Sequence, residues 1–233
     1  MKSLVFDSST IITLAMNNLL SLLKPLKEKF QGEFYIPLSV KEEIIDVPFR
    51  SKKFKFEAMQ VLKVIEEGHL KIYDDSKLER ERKELARLVN GLYRSKKKRL
   101  KVLQDGEIGA LVLANSLGSS ALVVDERTTR MILERPRELA ELFKKKMHRE
   151  VWLDDKALER FLDKYGKVKI IRSVEMGVVA YELGFLDKYI IRKGKKKNEL
   201  RKDLLDAFLW GFKLRGCAIS VDEINSILTI EKV

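Results

Sequence analysis

The chain opens with the stretch KSLVFDSST (residues 2–10), in which a short apolar run ends at an aspartate and hydroxyl side chains follow. The run from Lys2 to Phe6 is typical of a buried strand. Ser8 and Ser9 offer helix caps before an amphipathic run from Thr10 to Leu23. The stretch therefore predicts a strand, a tight connection and a helix, with an acid at the end of the strand.

Further strand and helix patterns alternate along the chain. The strand patterns lie at residues 33–36, 70–73, 121–124 and 168–171. The helical patterns lie at residues 38–45, 54–67, 76–92, 105–117, 128–165 and 173–183. Strands that alternate with helices predict an α/β fold, here a three-layer α/β/α sandwich with a mainly parallel central sheet. The basic segment 94–100 is expected to be a solvated loop or helix end.

The C-terminal part of the chain has a different pattern. Lys193–Lys197 is basic, contains a glycine and is typical of a linker. Two helical patterns follow, at Leu200–Arg215 and Val221–Leu228. The first has an apolar face that needs burial, formed by Leu204, Leu205, Phe208, Leu209 and Phe212. Whether this face covers the core, forms a dimer interface or guides RNA stays open at this point.

These patterns suggest a division of the chain. We expect a domain at residues 1–191 that carries a helical insertion at about 54–103, followed by a C-terminal helical extension at residues 192–233. The chain has 233 residues, of which 45% are hydrophobic and 35% charged, so a globular protein with a real core is expected. The aromatic side chains of Trp152, Trp210 and Phe212 are expected to lie in that core.

Composition also limits the class of protein. No apolar run approaches the roughly 20 residues that cross a bilayer, so no membrane association is expected. A single cysteine, Cys217, excludes an internal disulfide framework and a cysteine-rich zinc site, and we predict that it is a small buried residue. The N-terminal apolar run is too short for a signal peptide. A cytoplasmic protein is the natural interpretation.

The charge balance favours a polyanionic partner. The net charge is +12 and the isoelectric point is 9.6, and basic surfaces attract phosphates and release their counterions. A thermophile surface rich in lysine and glutamate would have a similar composition. Only two histidines are present, so catalysis by paired histidines is poorly supported.

Acidic residues stand at the positions where a parallel sheet binds ligands. Asp7 ends the first strand pattern, Asp125 and Glu126 follow a later one, and Glu107 lies in the first turn of the helix before it. Glu43 lies on the helix after the second strand pattern. Ligands of open parallel sheets bind at the carboxyl ends of the strands, near the reversal of strand order. Taken singly, each acid has an ordinary explanation as a loop, cap or surface residue, so the joint arrangement carries the hypothesis.

Four segments resemble, in order, the motifs of PIN-domain ribonucleases. They are VFDSSTII (residues 5–12), IPLSVKEEI (36–44), GEIGALVLA (106–114) and LVVDER (122–127). Residues 171–175 and the helix after them are similar to a further element of the longer prokaryotic PIN-like proteins. Val124 stands where many members of the family have a threonine. The chain is also longer than the small toxin ribonucleases of the family, which argues against a toxin role.

The resemblance implies a metal-dependent endoribonuclease that hydrolyses RNA phosphodiester bonds. Its catalytic and metal-holding acids would be Asp7, Glu43, Glu107 and Asp125. Glu126 competes with Asp125 as a ligand, and Asp105, the expected N-cap of its helix, competes with Glu107. Ser9 would orient Asp7 or a bound water. Several carboxylates in one cleft need a cation, and oxygen ligands suit Mg²⁺ or Mn²⁺.

The expected partner is RNA, with single-stranded RNA favoured. Arg127 and Arg130 lie on one side of a helix and would reach a phosphate beside the metal site, although pairing with nearby acids is as good an explanation. Lys96, Lys97 and Lys98 are candidate backbone contacts. The main alternative is a non-catalytic RNA-binding scaffold that keeps the fold, and a nuclease acting on DNA is a third hypothesis. A homodimer and an antitoxin-type protein partner stay open, the latter without support in the sequence.

Overall fold

A computed structural model describes residues 2–96, 98–190 and 197–231. The strands are β1 (Ser3–Phe6), β2 (Glu33–Pro37), β3 (Lys71–Tyr73), β4 (Tyr93–Ser95), β5 (Lys98–Arg99), β6 (Ala121–Val123), β7 (Trp152–Leu153) and β8 (Ile170–Ile171). The helices are α1 (Ser8–Met16), α2 (Leu23–Phe30), α3 (Leu38–Lys41), α4 (Val47–Ser51), α5 (Lys55–Glu66), α6 (Glu79–Val89), α7 (Asp105–Leu117), α8 (Arg127–Glu134), α9 (Pro136–Met147), α10 (Asp155–Tyr165), α11 (Ser173–Glu182), α12 (Lys197–Leu214) and α13 (Val221–Ile230). Short 3₁₀ turns lie at Leu20–Leu22, Ser76–Leu78 and Asp187–Tyr189, and a π-helical turn, Glu42–Asp46, joins α3 to α4.

Five strands form the central sheet, in the order β3-β2-β1-β6-β8, and every neighbouring pair is parallel. Val5 in the middle strand lies opposite Tyr35 on one side and Leu122 on the other. Val5 and Phe6 are fully buried, because helices cover the sheet. The predicted α/β fold with its mainly parallel sheet is confirmed. The chain leaves β1 toward β2 and β3 and later returns to β6, so strand order reverses between β1 and β6.

Three local predictions were wrong. The pattern at 10–23 is not one helix: α1 ends at Met16 and a 3₁₀ turn follows at Leu20–Leu22, because Asn18 takes a left-handed conformation (φ 57°). The helical patterns at 128–165 are α8, α9 and α10, but the strand β7 between α9 and α10 was not predicted. The segment 94–100 is mostly strand rather than loop, since β4 and β5 pair antiparallel.

A small second sheet, of order β5-β4-β7, is antiparallel. Its edge strand carries Trp152, whose side chain is 56% exposed, so the prediction of a buried Trp152 was wrong. An aromatic residue on an edge strand has one face without a neighbouring strand. Phe212 is fully buried as predicted, and Trp210 is half-buried.

The C-terminal helices pack on the domain. Leu205, Leu209 and Phe212 on the apolar face of α12 are fully buried. Phe208 lies so close to α11 that a Cβ added to Gly177 would come within 1.8 Å of its ring. The sequence did not show what packs against the apolar face of α12. In the structure this face packs against the domain and completes its core. Most of the predicted linker lies outside the described residues, and Lys197 already belongs to α12.

Arg172, just before α11, fixes the last helix. Its guanidinium pairs with Glu175 in the first turn of α11 and with Glu223 of α13, the latter at 2.9 Å. It also donates to the carbonyl oxygen of Ala218. Arg172 is 9% exposed, so these contacts compensate a largely desolvated charge. Within the described residues, no helix is long and apolar enough to cross a membrane.

Candidate active site

Asp7 lies at the reversal of strand order. Its backbone N–H still bonds to Val123 of β6, at 2.9 Å, while its side chain caps α1. The Oδ2 atom accepts from the N–H of Ser9 at 3.1 Å and from its hydroxyl at 2.6 Å. The Oδ1 atom is buried and has no hydrogen-bond partner among the described residues. A buried carboxylate oxygen without a partner is costly unless a proton or a cation satisfies it.

Burial raises the pKa of Asp7 to about 6, against the lowering effect of the Ser9 hydrogen bonds, and the charge of Glu43 adds to the increase. Ser9 also contacts the loop that carries Asp125. Its hydroxyl oxygen accepts a hydrogen bond from the N–H of Asp125 at 3.0 Å. The Ser9 hydroxyl thus ties the end of β1 to the residue that follows Val124. The hydrogen bond from the Ser9 hydroxyl to Asp7 Oδ2 is the geometric basis of the prediction that Ser9 orients Asp7.

Glu43 approaches the cluster from the π-helical turn and is solvent-exposed. Two glycines allow this approach. A Cβ on Gly106 would lie 2.6 Å from Glu43 Oε2, and a Cβ on Gly109 would lie 2.1 Å from Ser39 Oγ. A side chain at Gly106 would therefore displace the Glu43 carboxylate, and one at Gly109 would displace the Ser39 hydroxyl. The motif GEIG at residues 106–109 thus serves close packing as well as the supply of an acid.

Glu107 is the third residue of α7 and is 9% exposed. Its Oε2 atom accepts from the backbone N–H of Gln104, and its Oε1 atom accepts from the Thr129 hydroxyl at 3.1 Å. Burial raises the pKa of Glu107 to about 7, and the charges of Asp7 and Glu126 contribute to the increase. Asp7, Glu43, Glu107 and Glu126 therefore form one electrostatically coupled group.

Asp125 differs from these acids in its hydrogen bonds. It is 1% exposed, and its two oxygens accept from the N–H of Ser173 at 2.7 Å and from its hydroxyl at 2.6 Å. The carboxylate thereby binds the first residue of α11. Its charge also contributes to raising the pKa of the buried Cys217 thiol to about 12, although burial is the larger cause. Cys217 is buried as predicted.

Two predicted details of the acids need correction or qualification. Asp105 is not the N-cap of its helix, because Gln104 holds that position and Asp105 is the first helical residue, exposed to solvent. Glu126, by contrast, caps α8 by accepting from the N–H of Thr128 at 3.2 Å. The side chain that competes with Asp125 as a ligand therefore lies on the Glu107 side of the site.

The donor set fits a divalent cation in its chemistry. All of the coupled acids offer oxygen ligands, which suit Mg²⁺ or Mn²⁺, and the unsatisfied Oδ1 of Asp7 is one such oxygen. Among the described residues, however, no three acidic, histidine or cysteine side chains converge on one point as they are placed. Hydrogen bonds to Ser9, Thr129 and the Gln104 backbone hold the carboxylates in their present orientations.

The basic residues divide into two groups. Arg127 and Arg130 line a cavity of about 650 Å³ together with Lys213 from the C-terminal extension. Within residues 2–96, 98–190 and 197–231, neither arginine pairs with a carboxylate, and Arg130 donates instead to the Ala218 carbonyl at 3.4 Å. Lys96 and Lys98 are exposed on the hairpin of the second sheet. Lys97 lies outside the described residues.

Sequence reasoning missed two hydroxyl side chains that hold the acids. Thr129 is fully buried against Glu107, and Ser173 holds both oxygens of Asp125. Thr129 lies in the first turn of α8, three residues after Glu126, the N-cap of that helix. Ser173 is the first residue of α11 and follows the carboxyl end of β8, in the same sheet as β1 and β6. Both signals were present, but only the pairing of strands shows which acid each hydroxyl meets.

The fold and these side chains define a class: α/β proteins with a parallel sheet and an acidic site where strand order reverses. The chain belongs to the PIN-domain family, since a family model described as a PIN domain matches residues 3–137, more than half of the chain. No curated protein and no solved structure matches the chain. The match covers the four coupled acids and confirms the resemblance found in the sequence. PIN domains have a nuclease-like fold, generally use divalent metals and commonly bind RNA.

Proposed function

We propose that this protein is a divalent-metal-dependent endoribonuclease that hydrolyses RNA phosphodiester bonds. The observation that carries the proposal is the buried, unpartnered Oδ1 of Asp7 next to further carboxylates at the reversal of strand order. An acid in this environment takes up a proton or binds a cation. Acids that only cap helices would be exposed or fully hydrogen-bonded instead.

Asp7, Glu43, Glu107 and Glu126 are the acids that would hold Mg²⁺ or Mn²⁺. The bound ion would supply Lewis-acid stabilisation of the negative charge that develops on the attacked phosphate. Two observations favour Glu126 over Asp125 as the fourth acid. Both oxygens of Asp125 are engaged by Ser173, whereas the charge of Glu126 acts on Glu107. We therefore assign Asp125 a positioning role at the start of α11.

The hydroxyls orient the carboxylates and limit their motion. Ser9 holds one oxygen of Asp7 and leaves the other free, whereas Thr129 and the Gln104 backbone each hold one oxygen of Glu107. Near neutral pH and without a cation, Asp7 and Glu107 are close to their raised pKa values of about 6 and about 7. Binding of a cation would therefore release protons from these two carboxyls.

The substrate strand would be held by basic side chains beside the acids. Arg127 follows Glu126 directly, and Arg130 and Lys213 line the same cavity. Glu134, Glu138 and Glu223 also line this cavity, but among the described residues Arg127, Arg130 and Lys213 form no ion pair with a carboxylate. These three cations are therefore available to contact phosphates. This surface supports nucleic acid as the substrate class but does not distinguish RNA from DNA. The choice of RNA rests on the family.

The decisive experiment compares cleavage of labelled single-stranded RNA with Mn²⁺, with Mg²⁺ and with EDTA, for the wild type and for Asp7→Asn. We expect metal-dependent cleavage that the substitution abolishes. The matched control is Asp163→Asn, which removes an exposed carboxylate on α10 and should leave cleavage unchanged. Cleavage that survives Asp7→Asn would refute the proposed site. Tight binding without cleavage under any metal would favour the non-catalytic scaffold.

Two further comparisons refine the proposal. Competition between single-stranded RNA and single-stranded DNA of the same sequence separates a ribonuclease from a nuclease acting on DNA. Glu126→Gln is expected to abolish cleavage, because it removes a cation ligand. Asp125→Asn should lower cleavage less at saturating Mn²⁺, because it perturbs the start of α11. The opposite order of effects would return the ligand role to Asp125.

A further inference from the structure

A run of alternating aromatic and basic residues lies outside the acid cluster. It reads FRSKKFKF (residues 49–56) and crosses the turn between α4 and α5. The expectation from the sequence that no run interleaves aromatic with basic residues as a stacking platform would was therefore wrong. Phe54 is 51% exposed and Phe56 is 69% exposed. Exposed aromatic side chains interleaved with cations are typical of surfaces that stack unpaired bases.

Phe54 is held in an unfavourable backbone conformation. Its φ of 59° and ψ of 24° lie in the left-handed region, where a bulky side chain is a rare outlier. This conformation costs free energy, yet the ring that it presents is half in solvent. Burial of the ring is therefore not what compensates the strain, and an outlier of this kind points to a role of the ring in function.

The Phe54 ring forms one side of an apolar cleft of about 280 Å³. The opposite wall comes from α1, with Ile12 and Met16, which are both partly exposed. Glu43 lines the same cleft, so the cleft adjoins the acid cluster directly. Most of the residues that line the cleft are apolar, and an apolar cleft of this size suits a ring rather than a charged ligand.

Charge around the cleft selects the kind of molecule that carries this ring. Lys52, Lys53 and Lys55 flank Phe54 along the chain, and the Lys53 ammonium lies 5.1 Å from the ring centroid. Arg215, from the end of the C-terminal extension, lines the cleft from the other side. Glu43 and Glu57 also line the cleft, but the four cations outnumber them, so the border has a net positive charge. An apolar cleft with such a border is complementary to an apolar ring attached to an anionic backbone.

We infer that this cleft binds an unpaired nucleobase of single-stranded nucleic acid, stacked on Phe54, next to the nucleotide whose phosphate lies at the acids. The inference rests on the proposed function, because it names how that substrate is held. Duplexes hide their bases within the stack, so the cleft would select single-stranded segments. Phe54 is then a substrate-binding residue that does not touch the reacting atoms.

Phe54→Gly is the informative variant, because it removes the ring and places glycine where a left-handed backbone is favourable. Its melting temperature should equal or exceed that of the wild type. Binding is measured in EDTA, by fluorescence anisotropy, with a labelled single-stranded RNA and with the same strand made abasic along its central part. We expect about 10-fold weaker binding of the base-bearing strand, and unchanged binding of the abasic strand.

Trp152→Ala is the matched control, since it removes an equally exposed aromatic ring from the second sheet and should change neither affinity. Phe54→Trp should retain the preference for the base-bearing strand. An unchanged affinity of Phe54→Gly, or an equal loss for both strands, would overturn the inference. An unchanged affinity would leave the cleft to an apolar side chain of a protein partner.

These experiments distinguish a failure of the base-binding cleft from a failure of the proposed nuclease activity. Because binding is measured without metal, loss of base-specific binding in Phe54→Gly supports the cleft even if no metal supports cleavage. Metal-dependent cleavage by Phe54→Gly with the KM of the wild type would keep the nuclease and overturn the cleft.

Discussion

Asp7→Asn should stabilise the metal-free protein, and the gain should grow with pH. The substitution keeps the shape of the side chain and an oxygen for the Ser9 hydrogen bonds, but it removes the buried charge. The pKa of Asp7 rises from 3.8 to about 6 in the folded protein. At about 1.4 kcal/mol per unit, the ionised form costs the folded state about 3 kcal/mol.

The sign follows from proton binding. A carboxyl whose pKa is raised by folding binds its proton more tightly in the folded state, so the stability that it contributes is fully present below pH 3.8. That stability is lost as the pH rises through about 6. The advantage of Asp7→Asn over the wild type should therefore be under about 1 kcal/mol near pH 4 and about 3 kcal/mol at pH 8. Because the Asp7 charge contributes to the raised pKa of Glu107, removing it adds to the gain in the same direction.

Urea unfolding followed by far-ultraviolet circular dichroism, in EDTA at pH 4, 6 and 8, measures the effect. Asp163→Asn is the control and should show no pH-dependent difference from the wild type. Adding Mn²⁺ at pH 8 should raise the free energy of unfolding of the wild type but not that of Asp7→Asn. A difference that does not vary with pH, or an Asp7→Asn protein that is less stable at pH 8, would refute the electrostatic account of the site.

Three further outcomes follow from the geometry. Ser173→Ala removes one hydrogen bond to the buried Asp125 and should lower the free energy of unfolding by about 1–3 kcal/mol in urea titrations, whereas no change would mean that the bond is replaced. Gly177→Ala places a methyl group against the Phe208 ring and should cost about 1–3 kcal/mol in the same assay, and a neutral result would contradict the tight packing of α12 on α11. Mn²⁺ added to the wild type at pH 6.5, a value about midway between the two raised pKa values, should release protons, detectable as buffer-dependent heats in titration calorimetry; Asp7→Asn should release fewer.

The parallel sheet was predictable because each strand is short, apolar and followed by a helix. The end of β1 at Asp7 followed from residues 2–10 alone, since an apolar run and a capping aspartate are local signals. The break after α1 was missed although it has a local signal. Asn17 and Asn18 follow Met16, and Asn18 takes the left-handed conformation that asparagine tolerates at the end of a helix, but the apolar residues on both sides of this pair suggested one helix.

The sequence identified the acids as candidates, but it did not distinguish the roles that we propose for Asp125 and Glu126. Asp125 and Glu126 are neighbours in the chain and equally acidic, so no local pattern separates them. Their roles depend on Ser173, which is 48 residues from Asp125 and meets it through the pairing of β6 with β8. The role that we infer for Phe54 was missed for a similar reason. Neither the exposure of its ring nor its left-handed backbone can be deduced from the amino-acid sequence.

The order in which the coupled acids occur along the chain bears on how the protein comes into being. Asp7, Glu43, Glu107 and Glu126 would form the proposed site, yet β6 pairs with β1 only when more than half of the chain exists. During synthesis, a growing chain therefore carries isolated acids and no assembled site. Under the proposed function, such a chain would stay inert beside the messenger and the ribosome that produce it, and would gain activity only once β1 has a neighbouring strand on each side.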